Sequence, residues 1–250
     1  MSISMIPVVG IPSIQPGDDL SAALAAALTR AELRLVDGDI LVVCQKVVSK
    51  AEGRIARVAD VTPSAFARTL AAATTDKDPR VIEIILQQTT RIVRMDRGHL
   101  ITETGPGWVC ANAGVDESNS LGAETVILLP EDPDASAQRL RAALRQQTDA
   151  DIAVLITDTF GRPWREGLVD FALGLAGMDA FLDLRGQRDL NGRELHHTVM
   201  AQADALAAAA GLLMGKGDGI PAVLIRGYRF RPTEGNARAL IRAREFDLFR

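Results

Sequence analysis

Residues 152–167 read IAVLITDTFGRPWREG. The apolar start of this stretch belongs to a short buried strand expected over 151–157. It ends at Asp158 and Thr159, with Gly161 close behind. In α/β proteins, ligands bind where the carboxyl ends of strands bring loops together. A carboxylate beside a hydroxyl at such a place suits a hard divalent cation that also carries phosphate oxygens. The plainer reading is a turn in which Asp158 caps a following helix.

Working outward, the other strand candidates are short and β-branched: 39–48, 108–113, 124–129 and 222–226, the first preceded by the turn Asp37-Gly38-Asp39. Helix starts lie between them. Asp18 follows Pro16-Gly17 and opens an Ala/Leu-rich segment. Thr62-Pro63 and Asp78-Pro79 each pair an N-cap with proline at the first helical position. The second leads into 80–95, where Val81, Ile84, Ile85 and Gln88 share a face. Asp132-Pro133 opens another helix with Leu140, Ala143 and Leu144 inward, and the longest helix is expected over 194–214. Strands and helices do not alternate regularly, so the fold class is α/β of the mixed α+β kind. Its mixed sheets gather strands from distant parts of the chain. No linker, repeat or low-complexity tract marks a domain boundary.

The 250 residues are 47% apolar and 24% charged, with a formal net charge of −4. Basic and acidic side chains are interspersed, which leaves no electrostatic basis for nucleic-acid binding. Cys44 and Cys110 sit in apolar runs and read as buried thiols of a reducing compartment. The first twenty residues lack a signal sequence, and the most apolar later stretch is too short to span a bilayer, so a cytoplasmic protein without a membrane partner is expected.

Three further motifs carry chemistry. In VCANAGVDESNS (109–120) a strand runs into a loop with Asp116, Glu117, Ser118 and Asn119. Asp116 is a candidate second metal carboxylate and Asn119 a nucleotide contact; a polar surface turn is the alternative. In VVCQKVVSKAEGRI (42–55) Lys46 and Lys50 leave a buried strand, which suits phosphates, yet no P-loop spacing exists and a solvated face reads equally well. In LLMGKGDGIPAVLIRG (212–227) Gly215, Gly217 and Gly219 surround Lys216 and Asp218 after a helix. Consecutive glycines let backbone N–H groups converge on an anion, whereas a Schellman helix exit would need Gly215 alone. His196 and His197 are adjacent on an expected helix and point about 100° apart. With His99 isolated, the three histidines build no triad or metal pair.

Together these motifs resemble the γ-glutamyl ligases that add L-glutamate to the deazaflavin precursor coenzyme F420-0. The likeness runs in order from PVVGIPSIQPGDDL (7–20) through NAGVDESN (112–119) and ITDTFGRPWREG (156–167) to GKGDGIPAVLIRG (215–227). The resemblance implies a GTP-dependent ligase that needs Mg²⁺ or Mn²⁺ and is stimulated by K⁺. It activates the precursor's terminal carboxylate as an acyl phosphate, which the amine of glutamate attacks; later additions extend a γ-linked tail. It further implies a mixed α/β fold of two interlocked subdomains making one ligase domain over 1–250, and a homodimer. No fused nitroreductase-like domain is expected.

By motif, Asp116, Asp158 and Thr159 match the metal-binding positions, and Asp116, Asp158 and Lys50 are the expected catalytic residues. Gly10, Ile11, Pro12, Ser13, Ile14, Gln45, Lys46, Lys50 and Asn119 match nucleotide contacts, as do Met214, Gly215, Lys216, Gly217, Asp218, Gly219 and Ile220. The chain departs from the archaeal pattern GEGGDGIP, being one residue shorter with Lys216 in place of an acid. The motifs read phosphate and metal rather than the acceptor. The alternatives are therefore the same chemistry on another phosphorylated carboxylate, and a nucleotide-binding module that turns nothing over.

Overall fold

The computed structural model describes residues 2–74, 77–96, 98–118, 122 and 124–248. In chain order the elements begin with β1 (Ser4–Pro7), α1 (Leu20–Arg30), β2 (Ile40–Cys44), α2 (Gln45–Ala51) and β3 (Ile55–Arg57). There follow α3 (Ala65–Thr74), α4 (Pro79–Gln87), β4 (Thr89–Asp96), β5 (His99–Thr104), β6 (Val109–Ala111) and β7 (Thr125–Ile127). The remainder are α5 (Pro133–Thr148), β8 (Ala153–Arg162), β9 (Arg165–Ala176), β10 (Leu182–Asp183), β11 (Val199–Met200), α6 (Gln202–Met214) and β12 (Ala222–Arg226).

A five-stranded sheet of order β1-β12-β2-β8-β9 forms the centre. Only β2 and β8 pair in parallel, from Ile40↔Ala153 to Cys44↔Thr157; the other ladders are antiparallel. Side chains alternate between two cores, as the pleat requires. Leu41, Val43, Val154, Ile156 and Leu224 join Leu24, Leu28, Leu140 and Leu144 of α1 and α5. Ile40, Val42, Leu155, Val223 and Ile225 join Ala203, Leu206, Ala207 and Ala210 of α6. Both faces are covered, which is why the strands read as continuous apolar runs. A third core lies outside this sheet, where Leu70 of α3 and Ile82, Ile84 and Ile85 of α4 pack on Leu100, Val126 and Leu128. Beside it are the pair β3-β7 and the sheet β4-β5-β6.

The mixed α/β class holds, with several local corrections. Asp19 rather than Asp18 caps α1, its carboxylate accepting from the Ala22 N–H. Ser64 rather than Thr62 starts α3, its hydroxyl accepting from the Ala67 N–H. Asp78 does cap α4, but the helix stops at Gln87, and the β-branched run after it is β4, antiparallel to β5. The expected strand 39–48 ends at Cys44 and becomes α2. Residues 184–198 form turns, not helix, so His196 and His197 lie outside α6, and α5 is the longer helix at 16 residues. Cys44 and Cys110 are both free thiols. Among the described residues, no helix is long and apolar enough to cross a membrane.

Candidate active site

The site begins at the junction of β2 and α2. Cys44 is extended (φ −63°, ψ 134°) and Gln45 already helical, so strand passes into helix without a loop. Lys46 and Lys50, four apart, therefore share a face of α2. Gln45 points inward instead: it is 0% exposed and its Oε1 accepts from the Ser49 hydroxyl at 2.8 Å.

Asp158 is not at the end of its strand, and it caps no helix. It is the first residue beyond the parallel ladder with β2, while β8 runs on to Arg162 and turns back into β9. The register shifts between Ile156 and Thr157, opposite Gly174 and Ala172. Such a bulge re-aims the side chains beside it. Next in line, Thr159 pairs with Asp170 across the hairpin, and its hydroxyl donates to Asp170 Oδ1 at 2.6 Å.

Asp116 is set by the turn that precedes it. Asn112, Ala113 and Gly114 have φ of 55°, 53° and 70°, three left-handed residues in succession. Non-glycine residues adopt this conformation only where their surroundings impose it. Here Lys77 Nζ donates to Asn112 Oδ1 at 2.7 Å, and a Cβ on Gly114 would lie 2.6 Å from Leu129 Cδ1. Asp116 then bridges to Ile127 through two backbone hydrogen bonds and turns its carboxylate to Lys46 Nζ, 2.7 Å away. Lys46 also donates to the Ser118 hydroxyl at 2.7 Å.

The glycine-rich segment supplies a third cation. Gly215 leaves α6 with φ 56° and ψ −162°, a region open essentially to glycine alone, so the exit is not a Schellman turn. Lys216 Nζ donates to Thr159 Oγ1 at 2.5 Å. Within α6, Gly211 makes room for this arrangement, since a Cβ there would lie 2.7 Å from Asp170 Oδ2.

These groups line one cavity of about 1710 Å³. Of the positions singled out in the sequence, its wall includes Ile11, Pro12, Ser13, Ile14, Lys46, Lys50, Asp116, Asp158, Thr159, Met214, Gly215, Lys216, Gly219 and Ile220. Gly10 lies apart, its carbonyl accepting from Arg30 Nη2 at 2.6 Å. Gln45, Gly217 and Asp218 are also outside the lining. Asn119 lies outside the described residues. The sequence reading missed other parts of the lining, namely Arg91, Val93 and Arg94 of β4, Ile101 of β5, Val109 and Ala111 of β6, the hairpin tip with Trp164, and Arg242. It also missed Asp170. Trp164, Val109 and Ala111 lie inside the quoted motifs without being singled out, and no motif marks Arg91, Arg94, Asp170 or Arg242.

Burial pushes Asp158 up to about 7; the charges of Asp116 and Asp170 add to this, against the Thr159 N–H and Lys46. Burial also opposes the charge on Asp116, but hydrogen bonds from Lys46 and Ser118 outweigh it and hold that carboxyl below its usual range. Lys50 is lowered by burial and then by the charge of Lys46. Burial raises Cys44 to about 11 and Cys110 to about 12, so neither presents a thiolate at neutral pH.

Among the described residues, no three His, Cys, Asp or Glu side chains converge into a cage for a metal ion. The candidate donors that share the cavity are hard oxygens: the Asp116 and Asp158 carboxylates and the Thr159 hydroxyl. One carboxylate is matched by Lys46, and the other is half-buried and held against its charge. This donor set fits a Mg²⁺-like cation that keeps waters and takes ligand phosphates as its remaining partners.

Comparison with known proteins adds a family. The model of the F420-0:gamma-glutamyl ligase family matches residues 9–227. The chain is similar to three proteins named coenzyme F420:L-glutamate ligase. That of Methanothermobacter thermautotrophicus is 45% identical over 253 residues, covering 100% of both chains. The Methanopyrus kandleri protein is 50% identical over 95% of this chain and 93% of its own. The Archaeoglobus fulgidus protein is 42% identical over 100% of this chain and 97% of its own.

Proposed function

The chain belongs to the F420-0:gamma-glutamyl ligase family, and from that membership we propose that it joins L-glutamate to F420-0 at the expense of GTP, through an acyl phosphate. The observation that carries this reading is the gathering of Lys46, Lys50, Lys216, Asp116, Asp158 and Thr159 in one cavity. The reaction places a nucleoside triphosphate, an attacking carboxylate and a second amino-acid carboxylate close together. Little covalent chemistry is asked of the protein in phosphoryl transfer; alignment and charge neutralisation do most of the work.

The chain's residues divide that work. Lys46 and Lys50, fixed by the strand-to-helix junction, are the contacts for the nucleotide phosphates. The segment from Met214 to Ile220 and the stretch from Ile11 to Ile14 close the nucleotide pocket on either side. Asp116, Asp158 and Thr159 would hold the divalent cation, Mg²⁺ or Mn²⁺. When bound, that cation neutralises developing charge on the phosphoryl oxygens. Asp158, poised near 7, would serve as a ligand in its ionised form. Carboxylate attack on the γ-phosphorus gives the acyl phosphate and GDP; the amine of glutamate then displaces phosphate, leaving the amide and one proton. An amine attacking an acyl phosphate does not need a strong base, and no histidine lines the cavity. K⁺ stimulation, tail extension and a homodimer belong to the same proposal.

The test is direct. Protein, GTP, Mn²⁺, F420-0 and glutamate are incubated together; GDP release and a mass gain of one glutamyl residue are expected. Nucleotide binding without GDP release would overturn the reading in favour of a regulatory module.

A further inference from the structure

Asp170 does not line the cavity, yet it is bonded to a residue that does. It lies directly across the β8–β9 hairpin from Thr159, so the two side chains share a face of the sheet. Thr159 Oγ1 is 2.6 Å from Asp170 Oδ1, and Lys216 Nζ reaches the same hydroxyl at 2.5 Å. Chemistry fixes the direction of this chain. An ammonium only donates, a carboxylate only accepts, and a hydroxyl has one proton and two lone pairs. Thr159 therefore gives its single proton to Asp170 and accepts one from Lys216, which leaves one lone pair for a further partner. A hydroxyl without such a fixed acceptor rotates to suit its surroundings. It can then turn its proton towards a cation, where it is repelled.

The helix α6 is shaped around the Asp170 carboxylate. Asp204 and Gly211 are seven residues apart, and so fall within about 20° of each other around the helix. Asp204 Oδ1 accepts from the Ala172 N–H of β9 at 3.0 Å, and a Cβ on Gly211 would lie 2.7 Å from Asp170 Oδ2. One helix face thus meets β9 twice, at Ala172 and at Asp170. Glycine weakens a helix interior relative to alanine, and at 211 the missing side chain is what leaves room for the carboxylate. Five residues further along the chain is Lys216. The charge of Asp170 is also felt at Asp158 and Cys44, so it stands at the same end of the cavity as the candidate cation ligands.

We infer that Asp170 is a positioning residue for the cation site: by taking the Thr159 proton, it holds that hydroxyl with its lone pairs towards Lys216 and the cavity. Asp170 itself touches neither nucleotide nor cation. The inference rests on the cation and nucleotide part of the ligase reading, and deepens it by adding a residue that acts through Thr159.

The test follows Mn²⁺ binding to the protein in the presence of a non-hydrolysable GTP analogue. Binding is read from the loss of the electron paramagnetic resonance signal of free Mn²⁺, with a thermal melt of every variant. Asp170→Ala should weaken Mn²⁺ binding by about 10-fold or more. Asp170→Asn, whose amide oxygen can still accept from Thr159, should lose no more than about threefold. In a Thr159→Val background, Asp170→Ala should add less than about twofold, because the residue it acts through is gone. Gly211→Ala, which displaces the carboxylate without removing it, should reproduce the loss and serves if Asp170→Ala fails to fold. Unchanged Mn²⁺ affinity in Asp170→Ala and Gly211→Ala would overturn the inference, and a lowered melt beside it would make Asp170 structural only. A loss of full size in the Thr159→Val background would overturn it too, as would an Asp170→Asn as weak as Asp170→Ala, since either assigns the effect to charge rather than to the hydrogen bond. The expected Mn²⁺ pattern in a protein that forms no glutamyl product would sink the ligase reading and leave the role of Asp170 standing.

Discussion

In the ligand-free protein Asp158 is a carboxyl held against its own charge, and Asp158→Asn isolates what that costs. Raising it from an ordinary 3.8 to about 7 corresponds to about 4 kcal/mol between its two protonation states. Water entering the cavity screens part of this, so about 2–4 kcal/mol is the expected range. The sign follows from proton counting. Between 3.8 and 7 the folded chain holds a proton on Asp158 that the unfolded chain has lost, so this contribution to stability declines as pH rises through that window. It is fully present below 3.8 and gone above 7. The carboxyls whose range is lowered, such as Asp78, Glu103 and Asp183, act mainly below pH 5 and in the opposite direction. Urea unfolding without metal at pH 5.5 and pH 8, for wild type and Asp158→Asn, isolates the effect. Wild type should lose stability relative to the variant as pH rises, and at pH 8 the variant should be the more stable protein although it has lost its activity. Mn²⁺ should stabilise wild type more at pH 8 than at pH 5.5, and the variant little at either. Parallel stability profiles for the two proteins would refute the assignment of a strained, proton-bearing carboxyl.

Four other outcomes are expected. Asp116→Asn should cut turnover by about 100-fold or more at limiting Mn²⁺, read from initial rates of GDP release across a metal titration. Lys50→Ala should weaken GTP by more than the ~1 kcal/mol of a surface charge without lowering the melting temperature, since the fold gains nothing from a desolvated ammonium; equilibrium binding and a melt check both. Lys216→Glu should steepen the Mn²⁺ dependence of turnover while Lys216→Ala lowers the rate without that change; superimposable metal curves would reduce Lys216 to part of a helix stop. Gly211→Ala should lower activity even though alanine is the better helix former by about 1 kcal/mol, because its Cβ displaces Asp170 and, through Thr159, Lys216; rates and melts measured together separate the two effects.

The parts of the site that lie next to strands were legible from the sequence. Asp158, Thr159, Lys46 and Asp116 each follow an apolar run, and chain order alone marks such positions. The helical frame of Lys46 and Lys50 was not legible, because VVCQKVVSK is as β-branched as a strand and only its packing on the sheet decides. The run Thr89 to Asp96 reads as a continuation of the preceding helix because Ile92 and Met95 prolong the period set by Val81, Ile84, Ile85 and Gln88. Reading it as a strand would have required weighing Thr89, Thr90, Ile92 and Val93 by β-propensity instead. Asp170 and the arginines of the cavity lining had no local signature at all. Asp170 matters because it is paired with Thr159 eleven residues earlier, and Arg91 and Arg94 because β4 is the far strand of its sheet.

The absence of a loop between β2 and α2 bears on how the chain can change length. One residue inserted between Cys44 and Gln45 would rotate the following helix by about 100°, carrying Lys46 and Lys50 away from the cavity together. No turn is present there to absorb the extra residue. The segment after Met214 is different, since Gly215, Gly217 and Gly219 leave its path free to adjust. Deletions should accumulate at that second place and be purged at the first. The spacing from Cys44 to Lys50 belongs to a helix that must begin where the strand ends.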